Sequence, residues 1–252
     1  MFQKIVTLLT LSCVTTFAQN YYDTTLVGEA SIYKAKKTKT EIVIDAQANE
    51  KSWKKAKWAP MPHVWLGNKP TPEDISGKYK MLWDENYLYF LVEITDDSLS
   101  DQHKSPFELW WEDDCLELFI DEDNSNGNHQ FNHSAFAYHI TLDYDVVDMG
   151  PDKNPHLYNE HCKTKMVKTG KNTYVWEVAM KVYNSSYKDD AQNTAVKLYK
   201  NKKMGYAVSF NDNDGNNIRE NFIGSVFIPY EPQTGRNRGW IDSGVFGTVI
   251  LK

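Results

Sequence analysis

The sequence is short of most features that would take it outside the ordinary globular class. Cysteine occurs three times, at Cys13, Cys115 and Cys162, too rarely for a disulfide-framed scaffold, and no C-x-x-C-H segment offers covalent haem attachment. Apart from an apolar stretch from Ile5 to about Phe17, no run approaches the ~18 apolar residues that a membrane-spanning helix requires. Lys and Arg form no block on a periodic face, and the formal net charge is -6. That balance leaves no electrostatic footprint for nucleic acid, and the basic KAKKTK of residues 34–39 reads as a solvated segment. Internal repeats and low-complexity segments are also missing, which removes solenoid and linker architectures.

What is present suits one domain. The chain has 252 residues, 41% hydrophobic and 13% aromatic, enough for a sizeable core. Its opening, MFQKIVTLLTLSCVTTFAQN, carries one Lys, an apolar centre and Ala18 before polar residues, the pattern of a secretory signal peptide over residues 1–18. A lead-in over 19–40 and a domain over 41–252 follow. Cleavage after Ala18 gives a secreted or periplasmic protein and leaves Cys115 and Cys162 in an oxidising compartment, where they can pair. A lipid-anchored surface form through Cys13 is the weaker alternative, because Thr10 stands three residues before that cysteine.

Apolar residues recur mostly with a period of two. In TYVWEVAMKV, Tyr174, Trp176, Val178, Met180 and Val182 share one face, with Val175, Glu177, Ala179 and Lys181 on the other, as in a strand packed on one side. Tyr206, Val208 and Phe210 repeat the pattern, and the near-continuous YLYFLVEI from Tyr87 reads as a more central strand. Further strands are expected at 41–45, 78–83, 115–121, 136–142, 162–168 and 245–251, separated by turn-rich stretches such as DNSNGNH and NDNDGNN. One short helical turn is expected around ANEKSWKKA, with Trp53 and Ala56 inward, and residues 184–200 read as an irregular excursion. The fold class is all-β, a β-sandwich or jelly roll of two antiparallel sheets.

The chemistry concentrates in ELWWEDDCLELFIDEDNSNGNHQ, from Glu108 to Gln130. Adjacent strand residues point to opposite faces, so Trp110 and Trp111 cannot both fill one core. An accessible indole is an amphipathic plate on which a pyranose stacks; the competing reading makes both residues packing groups. Glu117 lies mid-strand and must be wet or paired, which suits sugar hydroxyls or a salt bridge equally. Clustered Asp and Asn in a Gly-containing loop also supply the hard oxygens that Ca²⁺ takes six to eight of. Asp121, Asp123, Asn124 and Asn126 are the candidates in the first such loop, Asp212 and Asp214 in the second, each against the alternative of a plain turn. His129, His133 and His139 lack the spacing of a zinc site.

Four stretches in order, VIDAQANEKSWKKA, MLWDENYLYFLVEITDD, WEDDCLELFID and GWIDSGVFGTVIL, together resemble the family 9 carbohydrate-binding modules, from about Glu41 to Leu251. The resemblance implies a secreted β-sandwich that binds sugar chains between two tryptophans, carries structural calcium and accompanies polysaccharide-degrading enzymes. Trp111 and Glu117 match the family's stacking Trp and its ligand-binding Glu. Three positions depart: His139 stands where the family has Arg, Phe227 is the nearest aromatic to the second stacking position, and Ala46 replaces a common Gly. The implied site is therefore Trp111, Glu117, His139 and Phe227.

The reading that follows is a non-catalytic carbohydrate-binding protein for glucan or xylan chains or oligosaccharides in polysaccharide catabolism, working beside a separate degrading enzyme. Two alternatives belong to other classes. One is a glycoside hydrolase built from the clustered carboxylates, which would need two acids held across a cleft; the other is a haem-binding electron-transfer sandwich using His139 or Met149. A fourth reading keeps the fold for protein contacts.

Overall fold

The computed structural model describes residues 31–252; the expected signal peptide, Cys13 and most of the expected lead-in lie outside the described residues. Fourteen strands occur among the described residues. They are β1 (Ile32–Lys37), β2 (Ala59–Pro60), β3 (His63–Leu66), β4 (Ile75–Trp83), β5 (Leu88–Asp96), β6 (Cys115–Asp121) and β7 (Phe136–Thr141). The second half contributes β8 (Val146–Met149), β9 (Pro155–Leu157), β10 (Cys162–Lys168), β11 (Thr173–Met180), β12 (Lys203–Asp212), β13 (Asn221–Gly224) and β14 (Gly247–Leu251). The architecture is all-β, as the alternation predicts, and residues 184–200 contain no strand.

The strands form one curled sheet, ordered β10-β11-β5-β4-β1-β14-β12-β6-β7-β8-β9, with β13 and β3 continuing from β12. β1 makes it continuous. Ile32 to Ala35 pair parallel with Thr248 to Leu251 of β14, and Lys36 and Lys37 pair parallel with Leu82 and Trp83 of β4. The curled sheet is consistent with the expected sandwich, its two halves joined through β1 by parallel pairing. One expectation is corrected: the KAKKTK region is structural where a solvated segment is expected. Tyr33 and Ala35 face inward while Ile32, Lys34, Lys36 and Lys37 remain exposed, so the lysines hide a two-residue alternation.

Curling brings the inner faces together around one core. Phe90, Val92, Trp176 and Val178 from one half join Leu116, Leu118, Tyr138, Val208 and Phe210 from the other. β5 is central, as its apolar run predicts, paired with β4 and β11. The outer face of β11 is also covered, contrary to the one-sided expectation: Ile42, Trp53, Leu82, Tyr89, Leu91 and Ala179 form a second cluster.

Segment 41–45 is not a strand, because its backbone finds other partners. The Asp45 and Ala46 amides donate to Glu177 Oε2 at 3.1 and 2.9 Å, and the Trp53 indole donates to Glu177 Oε1 at 2.7 Å. Trp53 heads a short 3₁₀ turn, Trp53–Lys55, in place of an α-helical turn. Ala46 has φ 59°, in the left-handed region where glycine carries no penalty. That is the physical content of the family's preference for glycine there.

Cys115 and Cys162, which an oxidising compartment would allow to pair, are both free and buried. Cys115 opens β6 on its outer face, opposite Asn211, whereas Cys162 begins β10 at the far edge of the sheet and packs into the inner core. Burial pushes both thiols up, away from the reactive thiolate.

Two predictions follow from these packings. Glu177→Ala strands two buried N–H donors, of Ala46 and Trp53, at about 1–3 kcal/mol each, and a part-buried one of Asp45, so urea unfolding is expected to register a loss of at least about 2 kcal/mol. In a thiol titration of residues 19–252, neither cysteine reacts with an aromatic disulfide reagent in the native state and both react in urea. One prompt native thiol would contradict the burial described here.

Candidate functional site

The two tryptophans lie in the turn that leads into β6, not on a strand, yet they divide as the alternation argument requires. Leu109 reverses the chain with φ 54°, and the Glu112 amide closes the turn on the Leu109 carbonyl at 2.8 Å. Trp110 is buried, edge-on to Trp111 at 4.6 Å and to His139 at 6.2 Å between ring centroids. Trp111 is half-buried, and its Nε1 donates to Glu112 Oε1 at 2.8 Å.

All three acids of the 112–114 cluster are engaged. Glu112 Oε2 accepts the Arg219 amide at 3.0 Å, and the Glu112 carbonyl accepts from Asn213 Nδ2. Asp113 accepts the Gln102 and His103 amides at 2.9 and 2.8 Å, and Asp114 accepts the Ser100 amide at 2.7 Å. The cluster thus sews the 98–105 loop and the β12–β13 connection to the turn that carries Trp111. Around Trp110 the surface leaves a depression of only about 20 Å³, well below the ~300 Å³ of an enclosed small-molecule pocket. Trp111 lies outside that depression, half-buried at the surface.

Next to the Trp110 ring, on the outer face of β6, β7 and β12, lies a polar floor. Glu117 is 2% exposed, opposite His139 on one side and Ser209 on the other. His139 Nε2 lies 2.9 Å from Glu117 Oε1, Asn211 Nδ2 donates to the same oxygen, and the Arg219 guanidinium stands 3.7 Å away. Arg219 Nη1 also donates to Asn211 Oδ1 at 2.7 Å. Burial alone would raise the Glu117 pKa, but the charge and hydrogen bond of His139, with Arg219 and Asn211, outweigh it and hold the carboxyl below its ordinary range.

The floor joins two expected residues, Glu117 and His139, to two that pattern reading missed, Asn211 and Arg219. Both missed residues are polar groups on or just beyond β12, and only the β6–β12 register brings them here. The other His139 nitrogen, Nδ1, lies 3.1 Å from the Ala137 carbonyl, so both ring nitrogens face oxygen partners and neither is open to haem iron. Phe227 lies elsewhere. It is exposed, edge-on to His63 at 5.9 Å, with the Arg236 guanidinium 5.1 Å from its ring.

The two expected metal loops differ. In the first, Asp121 accepts the Asn126 amide at 2.9 Å and the Ser243 hydroxyl at 3.1 Å, and Asp123 accepts the Ser125 amide at 3.0 Å. Asn124 and Asn126 adopt φ 55° and 65°, which asparagine tolerates. That loop is a self-bonded turn, and neither of its aspartates belongs to a three-acid group among the described residues.

The second loop meets other acids. Asp96, Asp114 and Asp212 place carboxylate oxygens within 4.8 Å of one another, and Asp212 forms a further group with Asp74 and Glu220. Asp214 falls apart from Asp212, grouping with Asp74 and Asp97 at the surface. Asp96 Oδ2, Asp114 Oδ1 and Asp212 Oδ2 are each buried without a hydrogen-bond partner, at a cost that a cation would relieve. Burial, then the neighbouring Asp96 charge, pushes the Asp114 pKa far up; the same causes raise Asp212 to about 8. Three hard, unpartnered oxygens converging in one place fit a divalent cation.

Comparison with known proteins decides the family. The sequence profile described as carbohydrate family 9 binding domain-like matches residues 44–252. The chain belongs to that family. It is 27% identical over 202 residues to an endo-1,4-beta-xylanase C of Paenibacillus barcinonensis, covering 80% of this chain and 16% of that protein. It is 26% identical over 210 residues to an endo-1,4-beta-xylanase A of Thermotoga maritima, covering 83% and 17%. The family 9-like chain therefore spans less than a fifth of these relatives. Among solved structures, a family 9 module from Caldicellulosiruptor kristjanssonii in complex with cellotriose superposes with a TM-score of 0.64 at 19% identity, covering 88% of this chain and 93% of that one. The same organism's module in complex with glucose gives a TM-score of 0.61 at 18% identity, covering 87% and 95%.

Proposed function

We propose that this protein is a non-catalytic carbohydrate-binding module that engages neutral glucan or xylan chains, or their oligosaccharides, during polysaccharide breakdown. The observation that carries the reading is Trp111, half-buried, held at its Nε1 by Glu112 and linked through the Trp110 ring to a paired polar floor, in a chain of this family. Trp111 supplies the stacking plate. His139 is the floor residue nearest solvent and offers the polar contact that orients a hydroxyl, while Glu117, sealed below, holds His139, Asn211 and Arg219 in place. The xylanase relatives and the cellotriose-bound neighbour favour β-1,4-linked chains. One half-buried indole at the surface suits weak engagement of an accessible chain, and Phe227 takes no part in it.

The same reading takes the curled sheet as a two-sheet jelly roll bridged by β1, places the protein in a secreted or periplasmic location, and has it serve a separate degrading enzyme. The 112–114 acids are clamps, an arrangement that favours binding over hydrolysis. Structural Ca²⁺ is assigned to Asp96, Asp114 and Asp212, with Asp74 and Glu220 alongside.

Titration of residues 19–252 with cellotriose and xylotriose, followed by tryptophan fluorescence, is expected to give a saturable change. Trp111→Ala should weaken binding at least tenfold, about 1.4 kcal/mol, and His139→Ala by a smaller factor. Unchanged affinity in Trp111→Ala would refute the platform.

For calcium, the sign follows from linkage. Folded carboxyls with raised pKa values bind more protons than the unfolded chain between about pH 4 and pH 8, so the stability of the metal-free protein falls as pH rises through that window. A cation at a hundredfold excess over its Kd restores about 2.7 kcal/mol, roughly 5–10 °C for a domain of this size. Chelation should therefore lower Tm at pH 8 far more than at pH 5. A Tm indifferent to chelator at both pH values would remove the assignment.

A further inference from the structure

Trp111 sits where β6 begins and β7 ends. At the opposite end of β7, about 17–20 Å away at ~3.3 Å per strand residue, the surface is concave again. A cavity of about 360 Å³ opens there, walled by His133, Pro151, Tyr187, Asp189 and Asp190 among others. That volume lies within the ~300–1,000 Å³ range of small-molecule sites, whereas the depression by Trp110 does not.

The walls are held in place. Tyr158 donates its hydroxyl hydrogen to Asp189 Oδ1 at 2.8 Å, and His133 Nε2 lies 3.1 Å from Asp189 Oδ2. The His133 ring stacks on Phe136 at 5.2 Å with 15° between planes. Tyr187, half-buried, stands edge-on to His133 at 5.0 Å and to His161 at 4.9 Å. The irregular 184–200 excursion is thereby fixed against the sheet, presenting an amphipathic ring beside a carboxylate with lone pairs still to offer. Ring, oriented acceptor and apolar Pro151 wall are the elements of a sugar site.

Two further observations narrow the ligand. Asp189 and Asp190 on the wall outnumber the one lysine there, Lys188, and the net negative lining disfavours an acidic sugar. The rim also continues outward: half-exposed Phe131 and Trp240 stand edge-on at 6.4 Å, and Lys153, two residues from Pro151, lies 5.5 Å over the Phe131 ring. A linear chain leaving the cavity along that rim would meet further aromatic surface.

We infer that this cavity is a second glycan subsite, taking a neutral pyranose unit of a polysaccharide chain against Tyr187 with Asp189 as hydroxyl acceptor. It rests on the carbohydrate-binding reading and extends it. Two sites at opposite ends of the fold make a single module bivalent, so a polymer that spans both is held by effective concentration, whereas a trisaccharide fills one at a time.

The test is calorimetric titration with cellotriose and xylotriose of the 19–252 protein, Trp111→Ala, Asp189→Asn and the double variant, each checked for native circular dichroism. Asp189→Asn keeps the shape of the side chain and removes its charge; Tyr187→Ala in the Trp111→Ala background serves as the second variant if Asp189→Asn unfolds. The expected result is residual binding in Trp111→Ala that falls at least tenfold in the double variant. Binding by the unsubstituted protein that disappears in Trp111→Ala would overturn the second subsite and leave the Trp111 reading standing. Binding insensitive to Trp111→Ala but lost in Asp189→Asn would uphold this subsite and overturn the Trp111 platform. Binding by none of the proteins would overturn both.

Discussion

A carboxylate sealed at 2% exposure in the middle of a strand has to be met by positive and hydrogen-bonding partners, and Glu117 sets that requirement for its side of the sheet. His139 comes from the strand on one side, Asn211 from the strand on the other, and Arg219 from the turn beyond. The partners must be in register for the charge to be tolerated, so the floor fixes the relative placement of β7, β6 and β12. Glu112 then ties the Trp111 indole to the Arg219 backbone. The Trp111 indole is thus referenced through a short chain of hydrogen bonds to a buried charge, and its orientation follows from the sheet.

The same economy of buried acids recurs in three places with different partners. Glu177 is satisfied by two backbone amides and an indole, and by doing so converts a β-propensity segment into a cover for the outer face. Glu117 is satisfied by cationic and amide side chains. Asp96, Asp114 and Asp212 are left with unpartnered oxygens. The first two clusters close within the protein's own donors; the third leaves oxygens that a divalent cation fits.

Strands with strong alternation were legible: β6 and β10 begin and end where the pattern places them, and β5, β11 and β12 nearly so. β1 was not, because its inward face has only Tyr33 and Ala35 between lysines, and its pairing is set by strands far away in sequence. Segment 41–45 misled for the converse reason, since Ile42 and Ile44 pack in the Trp53 cluster while the Val43 and Asp45 amides go to Glu50 and Glu177 side chains. At the site, Trp111, Glu117 and His139 could be named from local pattern and family resemblance. Asn211 and Arg219 could not, because they become neighbours of Glu117 only through the β6–β12 ladder. Among the acids, Asp212 was visible as loop chemistry, whereas Asp96 and Asp114 fall at strand ends and converge only in three dimensions.

The parallel pairing of Ile32 with Thr248 bears on how the chain reaches this state. A ladder between the first and last described strands is a contact of nearly maximal sequence separation, and its loop-closure entropy comes due before any of its hydrogen bonds form. The antiparallel neighbours, β4 with β5, β6 with β7 and β10 with β11, can assemble locally first. β1 has both of its partners only once β14 has been made. Closure of the curled sheet is therefore a late step, and until it occurs the facing edges of β4 and β14 remain open to pairing with other chains.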